Sequence, residues 1–329
     1  MKVLFIGGTG NISTSVSKLA VDQGIDLYLL NRGKTEVVIP GAKTIRGDIY
    51  DVEQTRSALK DMSWDVVVNW IAFTPEHIQN DISLFAGKTN QYIFISSASA
   101  YQKPSNGFMI TESTPLHNPF WQYSRDKIAC ERALMHAYRD QEFPTTIIRP
   151  SHTYDKRIPL AIGGWTQYTA IDRLKKGKKV IIHGDGTSLW TLTHSKDFAN
   201  AFVGLMGHSG TLGEAIQITS DEAMTWNYIY QTVADAAGVE LNAVHISSEF
   251  IGKIEPSLKD GLMGDKAHCA VFDNSKIKKL VPGFKAEIPF SKGIRQTLDW
   301  FEAKPERMVI DAQMNAKMDR IINAWEKSI

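Results

Sequence analysis

A short apolar run, Val3-Leu4-Phe5-Ile6, passes directly into Gly7-Gly8-Thr9-Gly10-Asn11-Ile12-Ser13, and the residues that follow carry apolar side chains at helical spacing. Glycine opens backbone conformations closed to other residues, and its missing side chain lets main-chain amides approach a ligand. Where such a turn feeds a helix, the amides and the helix dipole favour negative charge, and a pyrophosphate is the expected occupant. The position of the turn carries more weight than its pattern. Gly7, Thr9, Gly10, Asn11 and Ile12 are therefore candidate cofactor contacts, and Ser13 stands where the usual third glycine would be. A glycine-rich turn without a ligand is the alternative.

The rest of the first half keeps this rhythm. Residues 3–6, 27–30, 66–68, 92–95 and 145–148 are strand candidates, apolar on both faces as parallel strands covered on two sides would be. Residues 12–23, 55–60, 75–85 and 123–139 are helix candidates between them. The alternation predicts an α/β fold with a Rossmann-type, doubly wound parallel sheet. After Pro150 the rhythm changes: Pro159 and Gly163-Gly164 interrupt the chain, and short strands at 180–183, 215–218 and 243–246 mix with helices near 198–206 and 226–237. The expected division is a dinucleotide-binding domain over 1–152, with part of 184–207 returning to it, and a smaller C-terminal α/β substrate domain over 153–329. Two amphipathic helices between Ile294 and Trp325 would cover that second domain.

Composition narrows the function. The 37 basic and 36 acidic residues nearly cancel, so no global field gathers nucleic acid or an anionic membrane, and neither is an expected partner. No apolar run is long enough to span a bilayer and the first residues do not resemble a signal peptide. Cys130 and Cys269 are the only cysteines, which fits a reducing compartment and gives neither a disulfide framework nor a zinc site. His183 and His194 lack metal-ligand spacing with each other or with either cysteine, so no metal is expected and both are read as structural. A cytoplasmic enzyme with a small-molecule substrate is the expectation.

At the end of the second strand the chain reads Leu30-Asn31-Arg32-Gly33, where an NAD-specific site carries a carboxylate for the adenosine ribose. Asn31 removes a charge that would repel a 2′-phosphate, and the Arg32 guanidinium can pair with one. NADP is favoured over NAD on this reading; a solvated loop arginine beside a turn asparagine is the alternative. Further on, Asp48 is placed to accept from the adenine amino group and Ile49 to cover the ring, although Asp48 equally suits a helix N-cap.

The most informative group is Ser96-Ser97-Ala98-Ser99-Ala100-Tyr101, directly after a strand, together with Tyr123-Ser124-Arg125-Asp126-Lys127 opening a helix. Tyr123 and Lys127 lie four residues apart, which puts both side chains on one helical face. An ammonium beside a phenol favours the phenolate and prepares it for proton transfer. A strand-end serine can hydrogen-bond the same substrate oxygen, and Lys127 can also grip the nicotinamide ribose while hydride passes to or from the cofactor. A Tyr-x-x-x-Lys pattern alone is common; its value here comes from following a dinucleotide loop and a strand-end serine.

With these motifs in their order, and with Arg149-Pro150, Gly184-Asp185-Gly186 and the segment from His194 to Asp197 behind them, the chain resembles the extended short-chain dehydrogenase/reductase superfamily, the NAD-dependent epimerase/dehydratase family, over nearly its whole length. Arg32-Gly33-Lys34 and Ile45-Arg46-Gly47-Asp48 are also similar to the branch that includes chloroplast stem-loop RNA-binding proteins, which resemble epimerases that lost catalytic parts; this chain keeps Tyr123 and Lys127. The resemblance implies a catalytic Ser97, four residues before Tyr101, with Tyr123 and Lys127. The candidate cofactor contacts extend to Trp70, Ile71, Ala72, Ser96, Tyr123, Lys127, Pro150 and His152, and the candidate substrate contacts are Ser97, Ser99, Trp121, His152 and Trp190. It implies a homodimer built on the Tyr-Lys helix and the helix before it.

Two departures bear on the substrate. Nucleotide-sugar enzymes of this family usually carry an arginine shortly after the Gly-Asp-Gly turn and an asparagine after the Arg-Pro pair; here Trp190 and His152 occupy those places. An indole cannot neutralise a diphosphate, so another cation such as Lys276, Lys278 or Arg295 must do so, or the substrate is not a nucleotide sugar. Trp121, Trp165 and Trp190 offer flat surfaces for a sugar or aromatic ring, with core packing the alternative for each. His152 is either a second acid/base or substrate ligand, or a structural histidine. The functional expectation is hydride transfer at a secondary alcohol or ketone of a sugar or sugar derivative, with Tyr123 as the acid/base. An idle NAD(P)- or RNA-binding protein on the same fold is the alternative.

Overall fold

A computed structural model describes residues 1–34 and 36–328. In chain order the elements of the first part are β1 (Lys2–Ile6), α1 (Ser13–Asp22), β2 (Asp26–Asn31), β3 (Lys43–Arg46), α2 (Val52–Ala58), β4 (Trp64–Asn69), α3 (Pro75–Phe85), β5 (Thr89–Ile95), β6 (Met109–Ile110), α4 (Gln122–Gln141) and β7 (Thr145–Pro150). They are followed by β8 (His152–Tyr154), α5 (Thr169–Lys175), β9 (Val180–His183), β10 (Leu189–His194), α6 (Ser195–Leu205), β11 (Ala215–Ile218), β12 (Ala223–Thr225) and α7 (Trp226–Ala237). The last part holds β13 (Ala243–Ile246), α8 (Ser248–Ile254), α9 (Pro256–Gly261), a π-helical turn at Leu262–Lys266, β14 (Val271–Phe272), α10 (Ser275–Leu280), α11 (Phe290–Glu302) and α12 (Ala312–Glu326).

Seven strands form one parallel sheet in the order β11-β7-β5-β4-β1-β2-β3. Alternation along each strand sends side chains to opposite faces. Val3 and Phe5 therefore join Val16 and Ala20 of α1 and Phe198 and Phe202 of α6 in one core. Leu4 and Ile6 join Ile78 and Ile82 of α3 and Cys130 and Leu134 of α4 in the other. Helices on both faces explain why these strands lack a polar side, as the doubly wound reading requires. Neighbouring β1 and β4 lead the chain in opposite directions across the sheet, so a crevice opens beyond their carboxyl ends, where such folds bind ligands.

The second half differs in one respect from its sequence. Residues 215–218, expected among the later mixed elements, form β11 and extend the large sheet in parallel register with β7, Ile216 opposite Ile148. A buried strand of Ala-Ile-Gln-Ile has no local mark of which sheet it joins; the return of α6 against α1 brings it there. A third core is formed by α5, α7, α11 and α12 around β9 and β10, with Ile171, Ile182, Trp190, Trp226, Tyr230, Leu298 and Ile321 buried in it. No described helix is long and apolar enough to cross a membrane.

Candidate active site

A cleft of about 690 Å³ runs from the glycine turn to the third core. At its inner end Gly7 and Gly8 adopt φ of +95° and +96°, and a side chain on Gly8 would lie 2.7 Å from Leu29 Cδ2. Both the turn and its closeness to β2 thus depend on glycine. Ser13 holds the turn from the helix side, its Oγ accepting from the Gly10 amide at 2.8 Å, while Ser17 Oγ donates to the Gly8 carbonyl at 2.7 Å. Asn11 Oδ1 and Trp70 Nε1 are buried without a hydrogen-bond partner among the described residues, and both residues line the cleft. A buried polar atom left unpaired is costly. An acceptor and a donor waiting beside a glycine turn at a helix N-terminus fit a dinucleotide, with its phosphates and hydroxyls.

Of the other expected cofactor contacts, Thr9, Gly10, Ile12, Ile71, Ser96, Pro150 and His152 also line this cleft. Ala72 contributes its carbonyl, which accepts from Lys127 Nζ at 2.7 Å. Ser96 Oγ donates to buried Glu131 of α4, which in turn holds Arg149 Nη2 at 2.6 Å, so its hydroxyl is engaged by the helix. Asn31, Arg32, Asp48 and Ile49 lie outside the main cleft. Asn31 Oδ1 accepts from the Gly33 amide at 3.0 Å, and Ile49 is buried in the core beneath α2 and α3. Arg32 and Asp48 line a separate depression with Arg46, Gly47 and Gln54, and Arg32 Nη1 stands 3.8 Å from Asp48 Oδ2. Arg46, from the end of β3, escaped the sequence reading because the charge comes from a neighbouring strand.

Ser97, Tyr123 and Lys127 converge on the cleft. Ser97 follows β5 and caps a short 3-10 turn, its Oγ accepting from the Ser99 amide at 3.2 Å and lying 2.9 Å from Ser99 Oγ. Ser124 Oγ donates to Ser99 Oγ at 2.8 Å, which holds Ser99 against the start of α4. Burial raises the Tyr123 phenol above its ordinary pKa, and a side-chain hydrogen bond with Ser97 opposes that rise. Lys127 Nζ sits 5.8 Å from the Tyr123 ring centroid and is fixed by two carbonyls, Ala72 and Ile95, each at 2.7 Å. Burial lowers its pKa to about 8. The two residues share one helical face as their spacing predicts. Here, however, desolvation dominates the phenol, and the ammonium is turned first to the backbone.

The outer end is aromatic and cationic. Trp121 packs on Tyr123 with ring centroids 4.8 Å apart, and His152 stacks on Trp165 at 4.6 Å. Trp190 Nε1 donates to His152 Nδ1 at 3.4 Å. Burial, with Lys266 and Arg157 nearby, pushes the His152 pKa well below its ordinary value, so the ring is neutral and serves Trp190 as an acceptor. Trp190 is both wall and core: it lines the cleft and packs on Trp226 at 5.2 Å. Lys103, Arg157, Asp265 and Lys266 complete this end, and none was singled out from the sequence. They come from loops and the π-helical turn, which carry no periodicity to mark them. That turn is pressed onto the site: Asn118 Nδ2 bridges the Ser99 and Gly264 carbonyls at 2.8 and 2.7 Å, and a side chain on Gly264 would meet Trp121 Cβ at 2.7 Å. Lys276, Lys278 and Arg295 do not line the cleft, and the first two pair with Glu214 and Asp221. His183 Nε2 donates to the Lys266 carbonyl at 2.8 Å, and His194 caps α6.

Known proteins share the family and the fold. The model of the NAD dependent epimerase/dehydratase family matches residues 3–219. The chain is 26% identical over 251 residues to the chloroplast stem-loop binding protein of 41 kDa b of Arabidopsis thaliana, covering 72% of this chain and 63% of that one. To UDP-glucose 4-epimerase of Lactobacillus helveticus it is 30% identical over 169 residues, 45% of this chain and 51% of that one. It thus spans less than two thirds of the length of these curated relatives. Among solved structures, an epimerase from Methanothermobacter thermautotrophicus superimposes with a TM-score of 0.76 at 15% identity, over 93% of this chain and 94% of that one. UDP-glucose 4-epimerase from Bifidobacterium longum in complex with NAD+ and UDP gives 0.71 at 19% identity, over 93% and 100%. At such identities the likeness is one of fold.

Proposed function

The chain belongs to the NAD dependent epimerase/dehydratase family, and we propose that it is a nicotinamide-dependent enzyme acting at a secondary alcohol or its ketone, on a sugar or sugar derivative, with Tyr123 as the acid/base. The observation that carries this reading is the meeting of Ser97, Tyr123 and Lys127 with the glycine turn in a single cleft. The names of the epimerases and dehydratases it is similar to support the sugar.

The turn from Gly7 to Ile12, with Asn11 Oδ1 and Trp70 Nε1, would hold the dinucleotide, whose nicotinamide exchanges hydride with the substrate carbon. Ser97 Oγ orients the substrate oxygen, and the Tyr123 hydroxyl gives or takes its proton. Burial raises the Tyr123 pKa and keeps the phenol protonated before substrate binds, which suits it to donate first to a carbonyl. Lys127, held by Ala72 and Ile95, places a positive charge behind the ring that favours the phenolate in the reverse direction. Trp121, Trp165 and Trp190 shield the reacting centre from water and offer their faces to a ring. Arg32 and Arg46, with no carboxylate at Asn31, favour a 2′-phosphate and so NADP over NAD. A homodimer through α3 and α4 belongs to the same proposal.

Replacing Tyr123 by phenylalanine tests the reading: turnover of a sugar substrate should collapse while dinucleotide affinity stays. Unchanged turnover removes Tyr123 from the chemistry. Likeness to the stem-loop binding protein favours a second reading, an RNA-binding protein without turnover; salt-dependent RNA binding with no dinucleotide binding would select it.

A further inference from the structure

We propose that the outer end of the cleft is an anion-binding subsite in which Lys103, Arg157 and Lys266 hold a carboxylate or phosphate group of the substrate; this rests on reading the cleft as a nicotinamide-dependent active site.

Charge in the cleft is one-sided. Its lining includes Lys103, Lys127, Arg157 and Lys266, and among the described lining residues Asp265 is the sole carboxylate. Asp265 is hydrogen-bonded to Lys266, and Lys127 is satisfied by two carbonyls. Lys103 and Arg157 remain. Lys103 is 1% exposed, yet its ammonium has no hydrogen bond or ion pair among the described residues. Burial lowers its pKa, Asp265 opposes that, and Lys266 adds to it. Arg157 is half-buried, likewise without a hydrogen bond or ion pair among the described residues, and burial alone depresses its pKa. Removing cations from water without a counter-charge opposes folding, so a site built this way gains most from an anion brought by a ligand.

These groups form one cluster. Lys103 senses Lys266, His152 senses both Lys266 and Arg157, and Tyr123 senses Asp265. The turn that carries Lys266 packs at Gly264 against Trp121, whose ring lies 4.8 Å from that of Tyr123, so the subsite adjoins Tyr123. Lys266 Nζ is also fixed over the Trp190 ring at 4.5 Å and the Trp165 ring at 5.4 Å, which aims its charge along the same wall. Trp190 supplies no cation itself; it positions one. An anion held there would leave the uncharged body of the substrate between Trp121 and Trp165.

The test is calorimetric titration of the NADPH-saturated protein with glucose, glucuronate, glucose 6-phosphate and UDP-glucose. At least one charged sugar should bind ten-fold or more tightly than glucose, with affinity falling as salt is raised. Preference for glucuronate identifies a carboxylate as the anion, for glucose 6-phosphate a monoester, and for UDP-glucose a diphosphate. In Arg157→Met and Lys103→Met that preference should drop ten-fold or more while NADPH affinity holds. Equal affinity for all four sugars, undetectable binding of all four included, overturns the subsite. So does an unchanged preference in Arg157→Met, whose half-exposed position makes it the deciding variant if Lys103→Met fails to fold. If neither NADPH nor NADH binds, the nicotinamide reading fails by itself, and the same series on the cofactor-free protein still decides the subsite.

Discussion

The inner end of the cleft is built from segments that leave neighbouring strands: the glycine turn after β1, Trp70 and Ile71 after β4, Ser97 after β5. The outer end is gathered from Lys103, Trp121, Arg157, Trp165, Trp190 and the 265–266 pair, spread over about half the chain. Backbone makes the first: positive φ, amides and carbonyls set the geometry, and side chains such as Ser13 and Lys127 brace it. Side chains make the second, where one indole both closes the core and carries a cation. A substitution at the substrate end therefore changes what the cleft can hold while the backbone geometry of the cofactor end stays as it is.

That contrast can be broken or sharpened in four ways. Tyr123→Phe, at the junction of the two ends, should cost about 10²- to 10⁴-fold in turnover and leave dinucleotide Kd unaltered; steady-state kinetics beside fluorescence titration checks it. Trp190→Ala should destabilise the fold by about 3–5 kcal/mol in urea unfolding, because the ring is 3% exposed and packs on Trp226. A loss below about 1 kcal/mol would mean the indole is wall and not core. Removing both Arg32 and Arg46 as serines should weaken NADPH about 10- to 100-fold, or about 1.4–2.7 kcal/mol, with NADH unaffected; equal weakening of both would separate this depression from the 2′-phosphate. Gly8→Ala should lower stability by about 1–2 kcal/mol through its positive φ and the contact with Leu29, visible as a lower Tm.

The same contrast explains what could be read from the sequence. The parallel sheet was legible because buried strands and amphipathic helices differ in period, and the glycine turn because its residues are adjacent. Tyr123 and Lys127 were legible through helical spacing. Arg46 was not, since it joins Arg32 only across the β2–β3 pairing. Lys103, Arg157 and Lys266 were not, because two loops and the π-helical turn that carry them meet only in the folded chain. The cations named instead, Lys276 and Lys278, are absorbed by Glu214 and Asp221. Asn31 shows the converse: its place at the strand end was read correctly, but its side chain closes a turn with Gly33.

Binding of the dinucleotide tests the central claim most directly. Fluorescence titration of the purified protein with NADPH and with NADH should show saturable binding of both, NADPH at least ten-fold tighter. Binding of neither up to about 1 mM, where even a weak site contributes about 4 kcal/mol, would contradict a nicotinamide-dependent enzyme.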